Sequence, residues 1–282
     1  MKRRTVLATA GRLDAVLAAA LAVPLAQAQA LISRGAVYVD GKRCQAAQLK
    51  VSAGQKLSAV LEEGGQSVTA LAPKQAPLVV IFEDEALLVV DKAAGVVAQP
   101  TEGRVGDSLI DLARYHLQAT PGLVHRLDRE TSGVTIFGKT PEATSALAAE
   151  FREGRAKKRY LAVTAPGLPA RGEIDLPLSR DPSRPGRWRA SKGSQGIDAL
   201  TQYVRLSAGE AAATVELFPL TGRTHQLRAH LSGIGFPIRG DKLYGGVADV
   251  RCLLHAQRLE VLGRTFEAPV PADLAPWLPQ GS

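Results

Sequence analysis

The chain has 282 residues, 45% of them apolar and 22% charged, a balance that fills a core and argues against a disordered chain. Lysine and arginine number 35 against 27 acids, and the net charge of +8 favours a polyanionic partner without naming it. Two cysteines, Cys44 and Cys252, argue against a disulfide framework and a cysteine-held zinc, and no apolar run reaches the roughly 18 residues of a membrane-spanning helix.

The first thirty residues mimic an export signal. Lys2, Arg3 and Arg4 precede an apolar run from Ala15 to Ala26 that ends in small-residue repeats. Arg12 and Asp14 charge the approach, Pro24 splits the run, and the amphipathic pattern continues through Leu31 and Ile32 to a stop at Arg34-Gly35. Val37 and Val39 then alternate as a strand does, Asp40-Gly41 is a tight-turn dipeptide, and Leu57, Ala59 and Leu61 mark another strand. Residues 10–62 therefore predict two short helices followed by small antiparallel strands, kept in the folded protein rather than cleaved away. Residues 2–56 carry nine basic and two acidic side chains. Residues 63–77, with Gly64, Gly65, Pro73 and Pro77, read as a linker.

From residue 78 the pattern is mixed. Leu78–Phe82 and Leu87–Val90 suggest a hairpin, and 108–117 a helix capped by Asp107. Val134–Phe137 reads as a buried strand. Thr140-Pro141-Glu142 opens a helix that carries Leu147 and Phe151 and stops at Gly154. Strands are expected at 160–164, 199–206 and 213–218, and a helix at 224–231. Long strands with few helices point to an α+β domain over 78–275.

Three segments hold charges, glycines and apolar residues at unusual density: His125-Arg126-Leu127-Asp128 with Thr131-Ser132-Gly133, Lys157-Lys158-Arg159-Tyr160, and Gly222-Arg223-Thr224-His225-Gln226-Leu227-Arg228 leading to Asp241. A shielded Asp128 needs a cation to stay ionised, and Arg223, at the start of the predicted helix, is the expected supplier. Such a pair makes a held carboxylate nucleophile, with a purely structural Asp–Arg bridge as the bland alternative. His225 and His230 are five apart and miss the spacing of helical metal ligands, so they read as packing groups or as groups facing the polyanionic partner, and His125 and His255 as structural. Residues 152–159 and 180–192 each hold five basic groups against one acid. The second, with Trp188, reads as a phosphate-gripping loop or as a solvated insertion. Gly106-Asp107-Ser108-Leu109 matches a serine esterase motif, but the residue three before His255 is Cys252 and not the aspartate that chemistry needs.

Two resemblances sharpen this reading. On Arg12-Leu13-Asp14, Ala30-Leu31-Ile32 and Arg34-Gly35-Ala36-Val37-Tyr38-Val39-Asp40-Gly41, residues 10–62 resemble the RNA-binding domain of ribosomal small-subunit protein four. On the three charged segments, with support from 91–95 and Leu253-Leu254-His255-Ala256, residues 78–275 resemble the RluA-type pseudouridine synthases. Ala93 and Gln99 stand where that family usually has proline and histidine. The resemblance implies an α+β fold with a mainly antiparallel sheet and an isomerase that needs no cofactor. By position it makes Asp128 the catalytic aspartate, Tyr160 the ring that stacks on the target base and assists proton removal, and Arg223 the basic partner of the aspartate. Arg126 becomes the side chain that enters the duplex where the base has left, and Leu254 a lining of the pocket. The implied partner is RNA, foremost that of the large ribosomal subunit, with transfer RNA as the alternative. The protein is expected to be a cytoplasmic monomer, off the membrane. A rival of another class is a non-catalytic RNA-binding assembly factor.

Overall fold

Lys2–Leu7, the basic stretch that opens the apparent export signal, is a strand (β1) paired antiparallel along its length with Lys56–Leu61. The protein is represented by a computed structural model that describes residues 2–33, 35–61, 78–99, 108–190, 193 and 196–279. It divides into one unit of residues 1–77 and 97–120 and another of 78–96 and 121–282.

In the first unit, β2 (Gly11–Arg12) leads into α1 (Leu13–Leu21), Pro24 breaks the chain, and α2 (Leu25–Ser33) follows at 115°. Their apolar residues are not a span but a core: Leu13, Leu17, Leu31 and Ile32 are fully buried. Among the described residues no single helix is long and apolar enough to cross a membrane. Buried Asp14 staples the helix pair. It takes Arg12 Nη2 at 2.7 Å and Gln29 Nε2 at 2.9 Å, and the Arg12 bond holds its carboxyl low, at about 2. β3 (Val37–Val39) and β4 (Lys42–Cys44) form the expected hairpin. Asp40 and Gly41 both take positive φ there, 49° and 76°, as a type I′ turn requires. β5 (Lys50–Val51) pairs with β2, and β6 (Lys56–Leu61) completes the sheet in the order β1-β6-β3-β4. The helix expected at 108–117, α3 (Leu109–Leu117), groups with this unit and not with the larger domain, and Arg114 Nη2 donates to the Ser33 carbonyl at 2.7 Å. Its cap is Ser108, in a capping box with Asp111, rather than Asp107, which lies outside the described residues along with the whole of the linker at 63–77.

The second unit is built on β7 (Val79–Glu83), β8 (Leu87–Lys92), β9 (Gly122–Leu123), β10 (Ser132–Gly138), β11 (Lys157–Thr164), β12 (Arg171–Asp175), β13 (Leu178–Arg180), β14 (Trp188–Ala190), β15 (Leu200–Ala208), β16 (Ala213–Pro219), β17 (Leu254–Val261) and β18 (Arg264–Glu267). The main sheet runs β12-β15-β16-β11-β17-β10-β8-β7 and is antiparallel except for the parallel pair β10–β17. The β7–β8 hairpin and the buried β10 match expectation. So does α4 (Pro141–Arg152): Thr140 accepts from Ala143 N at 3.2 Å, and Gly154 follows the helix at φ +71°. α5 (Gln226–Gly233) starts two residues later than predicted, after His225 at φ +56°. Leu227 and Leu231 of α5 pack on Ala162 of β11, Leu217 of β16 and Leu254 of β17. The mixed α+β reading holds.

Candidate active site

Gly133 decides where Asp128 sits. β10 and β17 run so close that a Cβ on Gly133 would lie 2.1 Å from the Ala256 carbonyl oxygen, and its φ is +117°. Only glycine meets both demands. The Thr131-Ser132-Gly133 sequence therefore zips onto β17, with Ser132 opposite His255, and leaves the preceding turn at the sheet end. That turn is closed by Thr131 N donating to Asp128 O at 3.1 Å. Its backbone is held from two sides. Fully buried Lys92 donates to the carbonyls of Ala93, Val96 and Arg129, and Gly95 N also reaches Arg129 O at 2.8 Å. Arg251 Nη1 donates to the carbonyls of Cys252, Leu254 and Glu130 while its other nitrogens grip Asp273. Burial drags the Lys92 ammonium down to about 8, although the charges of Asp128 and Glu130 pull the other way.

The cation beside Asp128 is Arg228, not Arg223. Arg228 Nη1 lies 3.3 Å from Asp128 Oδ2, while its Nε and Nη2 form a two-pronged pair with buried Asp241 at 2.7 and 2.8 Å. Arg223 is exposed, precedes α5, and donates its Nε to the Asp198 carbonyl at 3.1 Å. The late start of α5 is the cause: Arg228, two residues inside the helix, faces inward between Leu227 and Leu231, and Arg223 falls outside. Asp241 is held in turn by Leu243 N and Tyr244 N at 3.1 and 3.2 Å and by the Cys252 thiol at 3.7 Å. Sequence reasoning passed over Arg228 and Asp241, although both stand in the third charged segment.

His225 reaches the same carboxylate oxygen, with Nε2 3.9 Å from Asp128 Oδ2, and its Nδ1 is 3.1 Å from the Tyr244 hydroxyl. Of the two readings its spacing left open, a packing group or one facing the partner, its place in the lining of the cleft beside Asp128 fits the second. His230 is structural: it is buried and bonds Thr201 Oγ1 and the Leu176 carbonyl. His125 takes the N–H of Ile136, and burial holds its ring near 3. His255 is buried against Ser132.

Tyr160 lies on the sheet face shared by Ala162, Leu254 and Ala256 and packs into the Leu254 cluster. Burial, and then the charge of Asp128, push its phenol well above the ordinary value. Leu254 is 3% exposed. Arg126 is exposed and makes no ion pair or hydrogen bond among the described residues. Residues 180–190 of the basic segment belong to the β13–β14 hairpin, and Trp188 N donates to the Tyr244 hydroxyl at 3.0 Å. A cavity of about 420 Å³ opens beside Asp128, lined also by His225, Arg228, Asp241, Arg251 and Cys252. The side chain of Asp128 is 27% exposed, so it stands in an accessible cleft and is less shielded than expected. Among the described residues no group of three or more His, Cys, Asp or Glu is placed to hold a metal ion.

Two family models match along the chain. Residues 86–233 match the model of the RNA pseudouridylate synthase family, and residues 11–57 match that of the S4 domain. A ribosomal large subunit pseudouridine synthase D of Zymomonas mobilis is 34% identical over 228 residues, covering 72% of each chain. Its namesake in Xanthomonas campestris is 36% identical over 74% of this chain and 71% of its own. An uncharacterized RNA pseudouridine synthase of Bacillus subtilis is 34% identical over 79% and 78%. Among solved structures, human RNA pseudouridylate synthase domain containing 4 superposes with a TM-score of 0.60 at 27% identity, over 71% of this chain and 92% of that one. The human protein named domain containing 1 gives 0.57 at 31%, over 69% and 83%.

Proposed function

This chain belongs to the RNA pseudouridylate synthase family, and on that premise we propose that it isomerises chosen uridines of large-subunit ribosomal RNA, with Asp128 as the nucleophile. The target RNA is suggested by relatives named for the large ribosomal subunit. The nucleophile is suggested by one observation: Asp128 is a partly exposed carboxylate lining the cleft, paired to a guanidinium that a second, buried acid holds in place.

The net reaction breaks the bond from ribose to the ring nitrogen and forms one to carbon five, and the proton of carbon five ends on the freed nitrogen. No electron is gained or lost, so the chemistry asks for no redox cofactor. A carboxylate oxygen lends its electron pair while the base is detached and turns, then leaves. Inside a duplex the base is out of reach, so it is everted at a cost of a few kcal/mol. Tyr160 receives its face and Arg126, exposed two residues before Asp128, fills the gap. The raised phenol of Tyr160 stays protonated at neutral pH, which suits a stacking ring and not a proton acceptor, contrary to the second role expected of it. Leu254, in the apolar cluster on which Tyr160 packs, backs that ring. The protein works as a cytoplasmic monomer, with the S4 domain as a second grip on RNA.

Replacing Asp128 by Asn tests the chemistry. Product should vanish while RNA affinity stays within a small factor of the native protein, and an active D128N refutes the assignment. Mapping pseudouridines in ribosomal and transfer RNA from cells with and without the gene tests the substrate: a site lost from transfer RNA alone refutes the ribosomal reading.

A further inference from the structure

Both side-chain contacts of the Asp128 carboxylate fall on one oxygen. Arg228 Nη1 donates to Oδ2 at 3.3 Å, and His225 Nε2 stands 3.9 Å from the same atom, outside direct hydrogen-bond reach. Oδ1 carries neither.

His225 is held for this purpose and for no evident other. It occupies the cap position of α5, yet its side chain makes no capping hydrogen bond. Its backbone sits in the left-handed region at φ +56°, where a side chain other than glycine's is strained. The ring instead reaches Tyr244, which is 3% exposed and meets His225 edge to face at 5.8 Å. Tyr244 is itself fixed. Trp188 N of the basic hairpin donates to its oxygen at 3.0 Å, and the guanidinium carbons of Arg228 and Arg187 stand 5.0 and 5.4 Å from its ring centre. With that oxygen already accepting from Trp188, its own proton is free for His225 Nδ1 at 3.1 Å. The groups facing the imidazole are Asp128, Arg228, Asp241 and Tyr244. Burial and Arg228 keep it neutral, and the acids oppose them. A neutral ring that accepts at Nδ1 carries its proton on Nε2, which is the nitrogen turned to Asp128. The opposite tautomer would aim a lone pair at a carboxylate.

From this convergence we infer that His225 is a positioning residue that flanks Oδ2 beside the hydrogen bond from Arg228 and leaves Oδ1 as the oxygen that meets the nucleotide. The inference rests on the proposed role of Asp128 and adds to it the atom that reacts and the chain that orients it: hairpin backbone, Tyr244, His225, carboxylate. The Arg228 hydrogen bond, with the imidazole N–H turned toward the same oxygen from 3.9 Å, biases the carboxyl group against rotation, so the lone pairs of Oδ1 point one way. Because Trp188 belongs to the hairpin with the dense basic run, RNA held by that hairpin acts on the same chain.

The test uses the full-length protein and an unmodified large-subunit ribosomal RNA transcript carrying tritium at carbon five of uridine, with single-turnover tritium release and RNA affinity measured separately. His225→Phe keeps a ring and removes the N–H; release should slow by about 10- to 100-fold with affinity unchanged. His225→Gln, whose amide nitrogen can stand near Nε2, should recover most of that loss. Tyr244→Phe, which frees the tautomer, should fall between. A native rate in His225→Phe, or equal losses in the Phe and Gln variants, overturns the inference, since a merely structural role would not tell the two apart. If His225→Phe melts early, Tyr244→Phe decides, and its native rate overturns the proposal. D128N in the same assay separates the two levels. An active D128N, or a silent native enzyme, removes the parent reading and this one together; an inert D128N beside a fully active His225→Phe removes only this one.

Discussion

Arg228 serves two acids, and the cost of losing it follows from the one that is buried. Asp241 is shut away from water, so Arg228→Met leaves a carboxylate with backbone N–H groups and a thiol but no cation. Removing one partner of a buried pair costs about 3–5 kcal/mol. Arg223→Ala, which removes an exposed bond to a carbonyl, should shift stability by no more than about 0.5 kcal/mol. Urea unfolding of both variants checks the contrast, and equal losses would count against the assignment of Arg228. Lys92 offers a pH signature. Its ammonium titrates at about 8 when folded, against 10.5 as the ordinary value. Between those values the unfolded chain still holds the proton that the folded chain has lost, so stability rises with pH across the window. The gain relative to Lys92→Met should approach about 3 kcal/mol from pH 7 to pH 11, read as the difference in urea midpoints so that other titrating groups cancel. At this scale the motifs were legible and the pairing was not. Arg223 and Arg228 occur in one short run, and only the helix start tells which of them turns inward.

Elements whose signals are local were the most legible. Thr140-Pro141-Glu142 names its own function, and so does the Asp40-Gly41 turn. The start of α5 escaped because its cap is a left-handed histidine without a capping bond, a choice made by Tyr244 and Asp128 from elsewhere in the fold. The parallel pair β10–β17 escaped for a similar reason. Ser132 and His255 are 123 residues apart, and no local pattern records that contact. Gly133 is its one trace, and two glycines separate backbone strain from close approach. Gly154→Ala puts a side chain at φ +71° into open space and should cost about 1–2 kcal/mol. Gly133→Ala adds a collision with the Ala256 carbonyl, and should cost about 3 kcal/mol or more and take turnover with it, since the turn bearing Asp128 hangs from that pair. Thermal unfolding and tritium release together check this, and a Gly133→Ala enzyme with native turnover would mean that the strand pair does not place the carboxylate.

Across the whole molecule, the two units were legible as a small basic module and a larger α+β domain, but the boundary was not a single cut. Residues 97–120 return to the first unit, and no shift in composition marks that return. The net charge of +8 is also a property of the whole chain, and its meaning depends on how many positive groups meet phosphate. Arg184 and Arg189 of the hairpin are exposed, and among the described residues the side chain of each makes only a long bond, to the Leu243 carbonyl at 3.4 Å and to Ser179 Oγ at 3.3 Å. Neither is spent on the fold, so both are available to RNA. If the protein contacts six or more phosphates, affinity for a ribosomal transcript should fall by about a thousandfold or more between 50 and 200 mM salt. Each phosphate-contacting side chain removed should flatten the logarithmic salt slope by about 1. Arg184→Ala combined with Arg189→Ala should therefore flatten it by about 2 and leave the melting temperature in place. An unchanged slope would make the hairpin a solvated insertion, and phosphate binding would then fall to the basic residues of the S4 unit and the strand at 157–164.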